Sequence, residues 1–97
     1  MGSVNVSKDG YACQHWAVDI PHPIRSTIRD SNFPDGSKQA ARNYCRNPLP
    51  AERHSPWCYT MNKVVAWQFC DICPKNNSGF NGIVELRCLL YYALTHA

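Results

Sequence analysis

The sequence predicts a small, cysteine-rich domain that is mostly irregular and carries short antiparallel β-hairpins. The chain has 97 residues, enough for one domain but too few for a large apolar interior. It therefore needs disulfide bonds or a structural metal ion for stability. Its six cysteines can form such bonds or bind such an ion. Turn-forming residues are spread through positions 1–56, whereas positions 57–70 are rich in β-branched and aromatic side chains.

The composition excludes several classes of protein. A hydrophobic content of 44% and a charged content of 18% are typical of a globular domain, and a net charge of +3 is low for a nucleic-acid-binding protein. The longest apolar stretch, Ile83 to Leu94, contains Glu85 and Arg87 and is too short to cross a bilayer. The first ten residues are polar and show no signal peptide. We therefore expect neither a nucleic-acid partner nor a membrane span.

Turn signals define the first half of the chain. They include Asp9-Gly10, the stretch "NFPDG" at 32–36 and Asn47-Pro48. Their close spacing disfavours long helices there, and we expect loops with short elements between them.

The second half is predicted to contain a β-hairpin. Residues 57–60 and 64–69 have strand composition and flank a three-residue turn at 61–63. On the second strand Val65, Trp67 and Phe69 alternate with more exposed positions, so we expect their shared face to be buried.

Cys70 and Cys73 are separated by two residues, directly before Pro-Lys. Such a pair is compatible with a thiol-redox centre, with half of a zinc site, or with two cysteines that belong to different disulfides. Too few residues follow Cys73 to complete a thioredoxin-like fold, and no second Cys-x-x-Cys or Cys-x-x-His pair completes a zinc site. On these grounds the disulfide interpretation is favoured, and a cytosolic zinc-binding or thiol-redox protein is the alternative.

Five motifs occur in a characteristic order: "CQHW" at 13–16, "PH" at 21–22, "NYCRNP" at 43–48, "SPWCYT" at 55–60 and "WQFCDI" at 67–72. Together they resemble a kringle domain over about residues 4–73. Kringles are small, disulfide-rich modules of extracellular proteins that bind other molecules and do not catalyse reactions. The resemblance implies an extracellular or cell-surface location, no catalytic residues, no metal and no cofactor.

The resemblance also implies a disulfide pairing and a domain boundary. Cys13 would bond to Cys58 and Cys45 to Cys70. The family's first cysteine has no counterpart here, so we expect an N-terminally truncated kringle at residues 1–75, followed by a non-kringle tail at 76–97. The resemblance does not assign the pairing of Cys73 and Cys88. They can bond to each other or stay reduced, or the partner of Cys73 can belong to a missing segment.

Lysine-binding kringles hold the ligand's ammonium group with an Asp-x-Asp pair and its methylene groups in an aromatic trough. The positions that match the acidic pair are Leu49 and Ala51, and Ala66 stands where an arginine is common. Without charged groups at either end of the trough, we predict that this chain does not bind lysine.

The candidate binding surface combines aromatic and basic residues. Basic side chains occur in or near the loop that lacks the acidic pair, and such a group suits an acidic protein face or a sulfated glycan. A solvated surface with no partner is the alternative. The residues assigned to this surface are Trp57, Tyr59, Trp67, Arg46 and Arg53.

The functional prediction is a non-catalytic extracellular protein-interaction module, a fragment of a larger receptor or secreted protein. The segment "VNVSKDGYACQHW" at 4–16, with the later motifs, is most similar to the kringle of Ror-type receptor tyrosine kinases. No nucleophile, base and orienting group can be assembled from the sequence, so no enzymatic activity is expected.

Overall fold

The computed structural model describes residues 2–50 and 53–72. Regular elements are few in these ranges: a 3-10 helix at Asp30–Asn32, helix α1 at Lys38–Ala41, and strands β1 at Trp57–Tyr59 and β2 at Trp67–Phe69. The mostly irregular backbone with one two-stranded sheet confirms the predicted fold class. Cys73, Cys88 and the proposed tail at 76–97 lie outside the described residues.

Strands β1 and β2 form the predicted antiparallel hairpin. Trp57 lies opposite Phe69, and Tyr59 lies opposite Trp67. Trp67 and Phe69 pack against the hydrophobic core, as their shared face predicts. The hairpin therefore places its aromatic residues on one side of the sheet.

The loop between the strands is longer than the predicted three-residue turn. Asn62 Oδ1 accepts hydrogen bonds from the amides of Val64, at 2.8 Å, and Val65, at 3.1 Å. Because these amides bond to a neighbouring side chain, they do not join the strand ladder, and β2 begins only at Trp67.

Helix α1 is a single short turn with a defined start and end. Ser37 is its N-cap, and the Ser37 hydroxyl accepts a hydrogen bond from the amide of Ala40 at 3.0 Å. Arg42 ends the helix with a φ of 52°. Gly36, the last residue of the "NFPDG" turn, has a φ of 95°, a conformation that favours glycine.

An aromatic cluster forms the main hydrophobic core. Trp16 is 1% exposed and makes edge-to-face contacts with Phe33 and Trp57, each with ring centroids 5.1 Å apart. Its indole N–H donates a hydrogen bond to the backbone carbonyl of Tyr44 at 2.7 Å. The buried members of this cluster are Trp16, Ile28, Phe33, Ala41, Trp57 and Tyr59.

Two disulfides form a second buried cluster. They join Cys13 to Cys58 and Cys45 to Cys70, which is the pairing that the kringle resemblance implies. The Sγ atoms of Cys13 and Cys45 are 3.8 Å apart, so the two bridges are in contact. Their partners lie 45 and 25 positions apart in the sequence, and the bridges therefore connect loops from both halves of the chain.

The motifs "CQHW" and "PH" meet in a buried polar network. The side-chain amide of Gln14 donates to the carbonyls of Val18, at 2.6 Å, and His22, at 2.7 Å, and Gln14 Oε1 accepts from the amide of His22 at 3.0 Å. The His22 ring is 2.7 Å from the carbonyl of Asn62. These bonds attach the loop at 17–22 to the hairpin loop.

Candidate ligand-binding surface

Three aromatic side chains lie side by side on the hairpin. Trp57 and Tyr59 alternate on β1 and so point to the same face, and their ring centroids are 5.2 Å apart. The Trp67 ring on β2 is 5.8 Å from that of Trp57. We call Trp57, Tyr59 and Trp67 the aromatic row; it is the trough expected from the sequence.

Most of the aromatic row is buried. Trp57 is 2% exposed and Tyr59 is 7% exposed, whereas Trp67 is half-buried. The Tyr59 hydroxyl accepts a hydrogen bond from the amide of Arg25 at 3.4 Å. Trp57 and Tyr59 thus contribute to the core, and Trp67 carries most of the row's accessible surface.

Arg53 covers the accessible part of the aromatic row. Its guanidinium carbon lies 4.1 Å from the ring centroid of Trp57 and 3.8 Å from that of Trp67. Both distances are well within the range of a cation–π interaction. The next residue, His54, stacks on Phe69 with ring centroids 4.6 Å apart. The segment at 53–54 therefore lies across the hairpin's aromatic face.

Arg46 is not on the candidate surface, which corrects the sequence-based placement of this residue. It is 1% exposed and forms a two-point ion pair with Asp35, with Nε 2.9 Å from Oδ1 and Nη2 3.0 Å from Oδ2. Its Nη1 donates to the carbonyls of Gly2 and Cys45. The charged guanidinium of Arg46 can be buried because Asp35 neutralises its charge and the two carbonyls accept its hydrogen bonds.

Sequence reasoning missed both Asp35 and the contacts of Arg53. The sequence indicates only that Asp35 belongs to the "NFPDG" turn, and no local pattern links it to an arginine 11 positions later. Arg53 was assigned to the surface, but not to the faces of Trp57 and Trp67. The available signal was an arginine a few residues before a tryptophan-containing strand, which is too common to be specific.

The uncharged positions of the predicted site lie near the aromatic row. Leu49, Arg53 and Trp57 line the same small cleft. Leu49 and Ala66 are exposed and carry no charge. Ala51 lies outside the described residues. Where a lysine-binding kringle would present a carboxylate at position 49, this chain presents an aliphatic side chain.

The arrangement of the four described cysteines tests the alternative of a zinc-binding or thiol-redox protein. These cysteines are Cys13, Cys45, Cys58 and Cys70. Their Sγ atoms lie within 4.8 Å of one another, a spacing that four thiolates around a metal ion would also adopt. In the structure all four sulfurs are in disulfides and offer no thiolate. Cys70 is bonded to Cys45 and is therefore not a partner for Cys73, so a site built on Cys70 and Cys73 is not favoured.

Fold and site together define a disulfide-braced module whose aromatic row lies on a short hairpin. The family model described as the kringle domain matches residues 1–74. The chain belongs to the kringle family. Kringle domains are generally non-catalytic modules that mediate protein interactions. Within the described residues, no helix is long and apolar enough to cross a membrane.

Proposed function

We propose that this chain is an extracellular or cell-surface protein-interaction module, part of a larger receptor or secreted protein, and that it does not bind lysine. The extracellular location is supported by the two buried disulfides, because such bonds persist mainly in oxidising compartments. The proposal that the chain does not bind lysine is supported mainly by one observation. The guanidinium of Arg53 lies on the tryptophan rings that a lysine side chain would need.

Two physical effects oppose lysine binding. No carboxylate at position 49 is present to pair with an ammonium group, and aromatic contact alone contributes only about 0.5–1 kcal/mol at an exposed site. The positive charge of Arg53 also repels a second cation brought to the same rings. An incoming lysine would therefore have to displace an arginine without gaining an ion pair.

Calorimetric titration of the oxidised chain with 6-aminohexanoate tests this proposal. We expect no saturable heat up to millimolar ligand. Binding at millimolar or lower concentration, with the indole N–H resonance of Trp57 shifting along the same isotherm, would refute it.

A protein ligand is the partner class that we propose. The alternative, a sulfated glycan, required a cluster of basic side chains that included Arg46, and the burial of Arg46 weakens it. Lys38 and Arg42 remain at the ends of helix α1. Chromatography on immobilised heparin tests the glycan alternative: retention above physiological salt supports a sulfated glycan, and elution below it supports a solvated basic surface without a glycan partner.

We further propose that the module spans residues 1–75, that residues 76–97 are a separate tail, and that the parent protein resembles Ror-type receptor tyrosine kinases. Limited proteolysis tests the boundary and should give a stable fragment that ends near residue 75. Longer transcripts that overlap this sequence test the parentage, which requires a reading frame continuous with a kinase domain.

A further inference from the structure

Asn5, Val6 and Ser7 form the tripeptide Asn-x-Ser, the acceptor motif for N-linked glycosylation. Its middle residue is not proline, so the motif is complete. Such tripeptides also occur by chance in proteins that are never glycosylated. The surroundings of the asparagine side chain therefore decide whether a glycan fits at this position.

The Asn5 side chain is exposed and forms no hydrogen bond with the described residues. The other described asparagines all have side chains that are hydrogen-bonded to the backbone; they are Asn32, Asn43, Asn47 and Asn62. Among the described asparagines, Asn5 is thus the one whose Nδ2 is free to carry a substituent.

The backbone around Asn5 is fixed, although its side chain is not. The carbonyl of Asn5 accepts a hydrogen bond from the amide of Cys13 at 3.0 Å, and the carbonyl of Val4 accepts one from the amide of Cys45 at 2.7 Å. Val4 also packs against the two disulfides. A glycan on Asn5 would therefore extend into solvent from the edge of the disulfides and would displace no contact of the described fold.

Ser7, the third residue of the motif, is buried in the folded domain. Its hydroxyl accepts a hydrogen bond from the amide of Tyr11 at 3.2 Å, and its own amide donates to the Tyr11 carbonyl at 2.8 Å. The amide of Gly10 donates to the Ser7 carbonyl at 2.9 Å and closes the turn. Because the motif requires a hydroxyl at its third position, the folded turn withholds a group that the transferase must reach. A sugar can therefore be attached to Asn5 only before this turn folds.

The order of the chain provides time for that step. Residues 4–13 are synthesised early, whereas two of the partners that fix them come much later. Cys13 is bonded to Cys58, which lies 45 positions further on, and the carbonyl of Val4 is bonded to the amide of Cys45. The motif is thus accessible during synthesis and closed once these partners have arrived.

We propose that Asn5 is an N-glycosylation site that is modified during synthesis, before its turn encloses Ser7. The co-reactant is an oligosaccharide carried on a lipid diphosphate, the donor class of the transferase in the secretory pathway. The anomeric carbon of the first sugar forms a bond to Asn5 Nδ2, and its bond to the diphosphate oxygen breaks. The lipid diphosphate leaves with the bonding electrons, and Nδ2 loses one proton. This inference rests on the extracellular or cell-surface location proposed above and adds a modification site outside the aromatic row.

Expression in secretory mammalian cells, with a cleavable leader before the chain, tests the site. Asn76→Gln is the reference protein, because residues 76–78 form a second motif of the same kind. We expect the secreted reference to carry an N-glycan that peptide-N-glycosidase releases, which leaves aspartate at position 5. Asn5→Gln in this background should carry none. The matched control, Ser3→Ala, changes an exposed residue outside the motif and should keep the glycan.

A reaction with purified transferase and a lipid-linked oligosaccharide tests the order of events and does not depend on secretion. The substrate is the Asn76→Gln chain produced in bacteria, either refolded with its disulfides or reduced and alkylated. We expect the unfolded form to be modified at Asn5. The folded form should react at least about tenfold more slowly, because the buried Ser7 becomes accessible only through local unfolding.

A secreted reference protein without a glycan, or an unfolded chain that the transferase does not modify, would overturn the site. Equal rates for the folded and unfolded forms would overturn the proposed order of events. Disulfide mapping of the same secreted sample separates these failures from a failure of the proposed location. Intact disulfides without a glycan refute this inference alone, whereas a chain that stays reduced in the secretory host refutes the location.

Discussion

Arg46 and Asp35 form a buried ion pair in which Nε lies 2.9 Å from Oδ1, with side-chain exposures of 1% and 6%. The backbone of Arg46 also pairs with that of Trp57 through two hydrogen bonds, of 3.1 Å and 2.9 Å. Arg46 therefore connects the turn that contains Asp35 to the edge of strand β1. These contacts help to position the hairpin, and at 1% exposure the Arg46 side chain has almost no surface available to a ligand.

Asp35→Ala is expected to destabilise the domain strongly. The substitution leaves the Arg46 guanidinium buried without its carboxylate, which typically costs about 3–5 kcal/mol of unfolding free energy. Urea denaturation with the disulfides intact measures this loss. Lys63→Ala is the control and should leave the midpoint nearly unchanged, because Lys63 is exposed. A loss below about 1 kcal/mol for Asp35→Ala would show that the ion pair is not a structural element.

Trp16→Ala should be among the most destabilising single substitutions. Trp16 contacts Phe33, Trp57 and Tyr59 and donates a hydrogen bond to the Tyr44 carbonyl, so its removal leaves a cavity and an unpaired acceptor. Replacement of a buried aromatic residue by alanine costs about 3–5 kcal/mol.

The matched control for Trp16→Ala is Val64→Ala, since Val64 is 91% exposed. Thermal unfolding of both variants gives the comparison, and Val64→Ala should leave Tm nearly unchanged. Similar Tm values for the two variants would contradict the placement of Trp16 at the centre of the core.

Gln14→Ala should loosen the loop at 17–22. It removes the bonds to Val18 and His22, and each buried group left unsatisfied costs about 1–3 kcal/mol. Hydrogen exchange of the His22 amide measures the effect, because that amide donates to Gln14 Oε1. We expect it to exchange much faster in the variant.

Gln68→Ala provides a matched control for Gln14→Ala, since Gln68 bonds to the exposed side chain of Asp9. Exchange of the His22 amide should be unchanged in this variant. Equal acceleration in both variants would indicate general destabilisation instead of a local network.

Removal of either disulfide should destabilise the domain by a similar amount. Loop-closure arithmetic gives about 4 kcal/mol for the loop of 45 residues and about 3.5 kcal/mol for that of 25, on a model in which the crosslink restricts the unfolded chain. The variants are Cys13→Ala/Cys58→Ala and Cys45→Ala/Cys70→Ala. Each loss is comparable to the total stability of a small domain, so both should be largely unfolded at 37 °C by circular dichroism. Native spectra for either variant would contradict this.

The sequence predicts features that depend on local pattern. The hairpin follows from β-branched and aromatic runs on either side of a turn, and the packing of Trp67 and Phe69 against the core follows from their alternation. The disulfide pairing follows from the family resemblance, since cysteine spacing alone permits several pairings.

The features that the sequence does not predict depend on long side chains and on contacts between residues far apart in the chain. An arginine side chain can extend to solvent, to a distant carboxylate or over an aromatic ring, and its sequence neighbours do not determine which. Arg46 and Arg53 were therefore assigned to the same surface, although one pairs internally with Asp35 and the other lies on Trp57 and Trp67.

The central claim is that two adjoining disulfides hold these loops in a kringle fold, and disulfide mapping of protein from a secretory host tests it most directly. Cleavage after Lys and Arg and before Asp places Cys13, Cys45, Cys58 and Cys70 in separate peptides and separates Cys70 from Cys73 at Asp71. We predict non-reduced pairs that join Cys13 to Cys58 and Cys45 to Cys70. Native protein with these four cysteines as thiols, or paired in another way, would contradict the account.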